Sequence, residues 1–484
     1  MSKMPETTAE IKFDSLIEEL ERLRQLFEKI KKQPIALYEM EKHILHSVLS
    51  MGRNLLIEYV EICNKEIEEV QEVWLNGRKL QRMPDSHNKT YQSIFGKLEI
   101  PRVVYAKRAG QKIEYVPLDA RLKLPKEQYS YLLLNWSQGM AVDMPYAQVS
   151  KTLENILGIK VSISALERQN KGLGTSVENF WQHSPQPVEA EDKEIIVLTA
   201  DGKGVPIRPD GCKRMAVVGA SYHIKPYHRT PEEVCDALFA KKAKKYKKRP
   251  RPIAKQVRAS LRRDDNTMQA SYDEVFTWLD EQNKQRNPNG NQTVVFLSDG
   301  QETLWKNAKE YIDADVVEIL DILHANSYIH KAAKALHKKQ KQQQIFSQVL
   351  IAYLLEGKIQ TVLKLLKGWE LAPKTTKKQR KALETAYNYI ENNAHRMRYD
   401  EYLAKGYPIA SGVIEGACRY VVRDRMERTG MRWTMRAAKD MLALRCIFLN
   451  DEWDNFLETH VQQQNLALYP YAANDEAFSI TKAA

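Results

Sequence analysis

The chain is poor in cysteine: among its 484 residues only Cys63, Cys212, Cys235, Cys418 and Cys446 occur, an odd number with no Cys-x-x-Cys pair. That scatter argues against a disulfide framework and against a structural zinc site, and the thiols read as ordinary reduced ones. No apolar run approaches the roughly 18 residues that a membrane span needs. With a mean hydropathy of −0.53, an integral membrane protein is not expected. The opening residues, MSKMPE, show neither an apolar signal core nor a small-residue cleavage site, which predicts cytoplasmic residence. Gly-x-x-x-x-Gly-Lys-[Ser/Thr] and His-Glu-x-x-His are both missing, so ATPase and zinc-protease readings lack support.

What is abundant is positive charge. Lys and Arg number 74 against 62 Asp and Glu, a formal balance of +12. The resulting pI of about 9.1 points to a polyanionic partner, with nucleic acid the leading candidate. The length predicts about three domains, and a hydrophobic fraction of 43% suffices to give each a core.

Residues 11 to about 80 read as helix, with Phe13, Leu16, Leu20, Leu23, Phe27 and Ile30 at alternating spacings of three and four. This heptad seam fits either a short coiled coil or an intramolecular helix hairpin. Residues 1–85 therefore form a helical region that could serve dimerisation. Residues 86–126 read as a small β unit, with runs at Tyr91–Phe95, Leu98–Tyr105 and Ile113–Val116. Residues 127–183 return to helix with the form of a helix-turn-helix: one helix from Tyr146 to Leu157 stops at Gly158, and a second starts at Ser164 with Glu167 completing a capping box. Arg168, Gln169 and Lys171 on that second helix either read DNA or pack.

Residues 190–337 alternate strands and helices, with apolar β runs at Ile195–Thr199, Arg214–His223, Thr293–Leu297 and Val316–Leu320. This predicts an α/β domain with a mixed sheet. Between Lys241 and Arg263 lie twelve Lys/Arg in 23 residues, among them Lys241, Lys242, Lys244, Lys245, Lys247, Lys248, Arg249 and Arg251. The tract is a solvated loop when free, able to lie along phosphates when bound. Residues 338–408 form an all-α insertion, 409–462 resume the α/β domain with two more helices, and 463–484 are a tail. The fold class is thus multidomain α/β plus all-α.

Three carboxylates stand out by position. Asp201 closes the first strand in LTADGK, Asp299 follows another in FLSDG, and Glu415 lies in the first helical turn of SGVIEGACR. Carboxylates past the ends of sheet strands lie where open α/β sheets hold ligands. Their oxygens suit Mg²⁺ with a phosphate substrate, and a pair of such ions activates a nucleophile and stabilises the leaving oxygen at phosphorus.

The ordered series LTADGK, FLSDGQETLW, ILDILHANSYIHKAAKAL and SGVIEGACRYVVRDRMERTGMRW resembles the bacterial insertion-sequence transposases of the ISKra type. These are relatives of Mutator-like transposases and have a ribonuclease H-like DDE catalytic domain. The similarity covers roughly residues 90–460. It implies metal ligation by Asp201, Asp299 and Glu415, Mg²⁺ as cofactor with Mn²⁺ as substitute, and double-stranded DNA, both transposon ends and target, as partner. It also implies a place in the bacterial cytoplasm at the nucleoid, and assembly into at least a dimer follows from the need to join two ends. Asp321 and His324 match an Asp-x-x-His motif of such enzymes, either orienting the phosphate or forming a structural pair. Arg419, one helical turn after Glu415 on the same face, either touches a phosphate or forms a helix-surface ion pair, while Trp433 resembles a family position and, flanked by the DNA-contact candidate Arg432 and by Arg436, either stacks on an unpaired base or anchors the core. Some relatives carry a cysteine zinc site in the N-terminal β region. This chain has no cysteine between Cys63 and Cys212, so that module is not expected. A hydrolytic nuclease on the same fold and a transposase-derived DNA-binding regulator are the rival readings.

Overall fold

The computed structural model describes residues 14–65, 67, 71–75, 77–184, 187, 189–191, 193–209, 212–239, 248–261, 268–428 and 430–470. The chain divides into two compact units, one of residues 1–180 with 453–484 and the other of residues 181–452.

The first unit begins with α1 (Asp14–Lys32) and α2 (Leu37–Lys65), which pack on each other as a helix hairpin. The expected seam is split: Leu16, Leu23 and Ile30 are half-buried, whereas Leu20 and Phe27 are exposed and Phe13 lies outside the described residues. Helix does not extend to residue 80. β1 (Glu72–Leu75) and β2 (Arg78–Arg82) occupy that stretch as an antiparallel pair. β3 (Lys89–Ser93) and β4 (Gly96–Ile100) form a second hairpin, and β5 (Tyr105–Ala106) joins β2. After the short α3 (Pro117–Arg121) come α4 (Tyr131–Ala141), α5 (Tyr146–Leu157) and α6 (Ile163–Gly174), a helix trio around Leu133, Val149, Leu153, Val161 and Leu166. Gly158 ends α5 in the left-handed conformation, at φ +67°, which a residue without Cβ adopts at no steric cost. The cap of α6 is Ser162, whose hydroxyl accepts from Ala165 N at 3.2 Å, two residues earlier than the expected Ser164. Helix α7 (Val177–His183) follows.

The second unit is built on one five-stranded sheet of β6 (Ile195–Pro206), β7 (Lys213–Ile224), β8 (Ile253–Ser260), β9 (Thr293–Ser298) and β10 (Val316–Leu320). The strand order is β10-β9-β6-β7-β8. The sheet is mixed: β10, β9 and β6 run parallel, while β7 and β8 are antiparallel to their neighbours. Helices α8 (Pro231–Phe239), α9 (Gln269–Arg286), α10 (Glu302–Tyr311) and α11 (Ile322–Leu336) connect or follow these strands. The continuous apolar runs of β6 and β9 are buried on both faces, as parallel strands between helices require.

The expected helical insertion is present as α12 (Gln340–Leu355), α13 (Ile359–Leu371), α14 (Lys377–Asn393) and α15 (Tyr399–Ala404). It is stapled to the sheet edge. Arg396 pairs with Glu318 of β10 at 2.5 Å, and the Tyr399 and Tyr402 hydroxyls donate to the Leu320 and Glu318 carbonyls at 2.9 and 3.1 Å. Then come α16 (Gly412–Ala417), a π-helical turn at Cys418–Arg423, α17 (Asp424–Met426) and α18 (Met435–Leu449). The last helix, α19 (Trp453–Leu468), belongs to the first unit and not to the α/β domain. Trp453 Nε1 donates to Asn135 Oδ1 at 3.0 Å, and the buried His460 Nδ1 meets Ser176 Oγ at 2.8 Å. No helix among the described residues is long and apolar enough to cross a membrane.

Candidate functional site

Strand register brings the aspartates together. Leu198 of β6 lies opposite Phe296 of β9, an offset of 98, and Ser298 of β9 lies opposite Leu320 of β10, an offset of 22. The same offsets align Asp201 with Asp299 and Asp299 with Asp321. Three aspartates from three adjacent strands therefore stand in one row at the carboxyl end of the parallel part of the sheet. Asp201 does not end its strand, as the sequence had suggested: β6 runs on to Pro206 in its hairpin with β7, and only its pairing with β9 stops at Leu198.

Each aspartate is held by local bonds. Gly202 N donates to Asp201 Oδ1 at 2.6 Å, and the buried Cys418 thiol donates to Oδ2 at 3.5 Å. Gln301 N donates to Asp299 Oδ1 at 2.9 Å, while Trp305 Nε1 ties the Asp299 carbonyl at 2.8 Å. Asp321 is the N-cap of α11; its Oδ1 accepts from Leu323 N at 2.8 Å and its Oδ2 from the Ser411 hydroxyl. Burial and then the neighbouring Asp299 carboxylate push the Asp201 carboxyl above the usual range, and the bonds from Gly202 N and Cys418 and then the nearby His324 partly offset them. Burial alone pushes Asp321 up, against the bonds from Ser411 and Leu323 and the nearby His324. Among the described residues no Lys or Arg pairs with Asp201, Asp299, Asp321 or Glu415.

Glu415 reaches this region from the first turn of α16, as expected. One ligand atom each of Asp321, His324 and Glu415 lies within 4.8 Å of the other two, the one such group of His, Cys, Asp or Glu among the described residues. Asp201 and Asp299 stand outside that trio. The π-helical turn begins just after α16 and carries Cys418 and Arg419, an irregularity common at functional sites.

Three contributors were not singled out from the sequence, although Ser411 and Cys418 flank Glu415 in SGVIEGACR. Ser411, Cys418 and Tyr389 lie far from the row in sequence, and Tyr389 comes from the helical insertion. Its ring stacks on Tyr328 at 3.8 Å and covers Gly300, where an added Cβ would fall 2.5 Å from the ring. The glycine of the Asp-Gly pair is thus required by the close approach of Tyr389, not by a turn.

The expected DNA-contacting residues fare unevenly. Arg168 and Lys171 are exposed on α6. Gln169 is not available for base reading: its Oε1 accepts from Ser137 Oγ at 3.2 Å and Gln138 Nε2 at 3.1 Å, both on α4. Lys241, Lys242, Lys244, Lys245 and Lys247 lie outside the described residues. Lys248, Arg249 and Arg251 are exposed, but the tract is not loop throughout, since Ile253–Ser260 is strand β8. Its Arg258 stacks over Trp181 at 4.0 Å and Trp278 at 5.4 Å. Arg419 makes a surface ion pair with Asp424 at 3.3 Å, and Arg432 is exposed. Trp433 is buried at 7% exposure, donates Nε1 to the Met426 carbonyl at 3.2 Å and lies under Arg425 at 4.9 Å. It is a core residue, with no free face for a base. A scan against protein-family models matches none, and a search of the curated proteins finds no relative.

Proposed function

We propose that the chain is a metal-dependent DNA transposase of the DDE type, which binds transposon ends, cleaves a phosphodiester and transfers the 3′-hydroxyl end into target DNA. One observation carries the reading: Asp201, Asp299 and Asp321 share a row on a mixed sheet with Glu415 and His324 beside it, and no basic side chain neutralises the four carboxylates. The sheet, interrupted between Asp299 and Glu415 by helices α12 to α15, supports a ribonuclease H-like catalytic domain.

The donor set fits a hard cation. Asp201 and Asp299 offer only oxygens and lie within electrostatic reach of each other, a repulsive arrangement that a divalent ion relieves. Oxygen donors suit Mg²⁺, with Mn²⁺ as a substitute. When bound, such an ion supplies Lewis acidity to a phosphoryl oxygen and its nucleophile. The protein's own part is to hold the geometry. Gly202 N–H and the Cys418 thiol fix Asp201, Gln301 N–H fixes Asp299, and Glu415 approaches from α16. His324, near both Asp201 and Asp321, orients the scissile phosphate. Duplex DNA is bound by exposed cations, among them Arg168, Lys171, Lys248, Arg249, Arg251, Arg419 and Arg432. Two ends must be joined, so the active species is at least a dimer, working at the bacterial nucleoid.

The test is a strand-transfer assay with duplexes taken from the DNA flanking the chain's own coding sequence, a plasmid target and Mg²⁺. Joined end–target product is expected. Cleavage without joining would make the chain a hydrolytic nuclease, and no cleavage with Mg²⁺ or Mn²⁺ would remove the reading.

A further inference from the structure

Asp321 caps α11 and His324 follows three residues later, so both side chains leave the same first turn. Glu415 arrives from a separate helix, and two bonds lock that helix start to this one. The Ser411 hydroxyl donates to Asp321 Oδ2, and Ile322 N donates to the Ile409 carbonyl at 3.0 Å. The result is the trio with ligand atoms mutually within 4.8 Å. Asp321 is fully buried, at 0% exposure, yet has no Lys or Arg partner. Its oxygens accept from the Ser411 hydroxyl and from Leu323 N, with the Ser411 backbone N–H also directed at the carboxylate. These donors orient the carboxylate as outer-shell groups orient a metal ligand. The phenol of Tyr389, from the helical insertion, lies over Gly300 within electrostatic reach of Asp299 and Asp321.

We propose that Asp321, His324 and Glu415 hold a divalent transition-metal ion of their own, Zn²⁺ in preference to Mg²⁺, beside the oxygen-only pair Asp201 and Asp299. An imidazole with two carboxylates is a nitrogen-containing set that suits zinc, whereas Mg²⁺ favours oxygen throughout. Three protein ligands also leave a fourth position open for a further ligand. The proposal rests on the reading above for the place of Glu415 at a metal, but not on the identity of the DNA reaction.

The experiment is calorimetric titration of the full-length protein with Zn²⁺ and, separately, Mg²⁺, alongside the visible spectrum of the Co²⁺-loaded protein. Asp201→Asn/Asp299→Asn should lose Mg²⁺ binding and keep one Zn²⁺. His324→Gln should keep Mg²⁺, weaken that Zn²⁺ at least about tenfold and change the Co²⁺ bands. Ser411→Ala, which removes the hydroxyl that donates to Asp321, should weaken Zn²⁺ by about 10- to 100-fold. Should His324→Gln fail to fold, His324→Asn carries the decision by the same criteria. Zn²⁺ binding and Co²⁺ bands identical to wild type in the folded variants would overturn the proposal, as would Zn²⁺ lost only with Asp201 and Asp299. A retained Zn²⁺ site in a protein that cleaves no DNA would instead overturn the transposase reading and leave this one standing.

Discussion

The carboxylate row of the second unit and the helix trio α4–α6 of the first both carry polar residues at suggestive spacings, and they end differently. In the trio the polar groups answer one another: Gln169 takes bonds from Ser137 and Gln138, and Asn170 donates to Gln138 Oε1 at 3.3 Å. In the row the carboxylates are held by N–H, S–H and O–H donors and, among the described residues, have no opposing basic side chain. Amide-to-amide bonds of this kind help to specify a core, whereas the fully buried Asp321 carboxylate, without an opposing cation among the described residues, is retained at a cost.

The largest effect that would break this contrast is on the reaction. Asp201→Asn, Asp299→Asn and Glu415→Gln are each expected to reduce Mg²⁺-dependent cleavage to background while end-duplex binding persists. Full cleavage by any one variant would remove that residue from the metal set. Because burial and Asp299 raise the Asp201 carboxyl, its ionised form is a burden on the metal-free fold. Asp201→Asn should therefore melt at or above the wild-type temperature without added metal, and a clear drop would mean that the carboxylate is structural.

Acid should separate the two units next. Burial pushes His460 of the first unit down from 6.5 to about 4, so the folded state keeps it neutral while the unfolded chain takes up a proton. Its contribution is complete above pH 6.5 and is lost as pH falls toward about 4, a change of up to about 3 kcal/mol. Asp201 and Asp321 have the opposite sign: their raised folded pKa makes acidification favourable to the fold. Hydrogen exchange resolved by segment between pH 7 and pH 4.5 should show α19 losing protection before β6 and β9. His460→Gln should flatten the loss in α19, and an unchanged pH profile in that variant would sink the assignment.

Within the first unit, Gln169→Ala should cost about 1 to 3 kcal/mol, since it strips the Gln138 side chain of an acceptor. Arg168→Ala, exposed on the same helix, should stay within about 0.5 kcal/mol. If Arg168→Ala alone weakens binding to end duplex over scrambled duplex at one salt concentration, α6 reads bases; equal weakening on both assigns it to phosphate. A comparable change places the insertion against the row. Gly300→Ala forces a methyl group against Tyr389 and should cost about 1 to 3 kcal/mol, with much of the loss recovered in Gly300→Ala/Tyr389→Leu. No loss in thermal melts would show that the ring yields freely.

The smallest expected change concerns the basic tract. Serine at six of its cations should flatten the slope of log K against log salt by roughly five, and an unaltered slope would leave the tract a solvated segment.

Much of this architecture is local and was readable as such. Apolar runs bounded by turn residues marked β6, β7, β9 and β10 to within a few residues at most ends, apart from the continuation of β6, and Gly158 marked the end of α5. The insertion appeared as amphipathic helices, and Asp299 and Glu415 stood out by their places at a strand end and a helix start, whereas Asp201, read as a strand end, lies within β6. Periodicity failed where partners decide. β1 and β2 look helical in an alternating charged sequence and become strands by pairing, and β8 hides its alternation inside a run of cations whose Arg258 is sheltered by two tryptophans. The offsets of 98 and 22 that align three aspartates are properties of strand pairing, which no single strand encodes. Nor does sequence distance reveal that Ser411 and Tyr389 meet Asp321 and Gly300, or that Gln169 is already bound. The sequence alone determined the elements and the kinds of chemistry available, because backbone propensity and side-chain type are local. Only the tertiary structure decided which polar groups bond to one another and which carboxylates gather in one row, because both depend on neighbours brought together by folding.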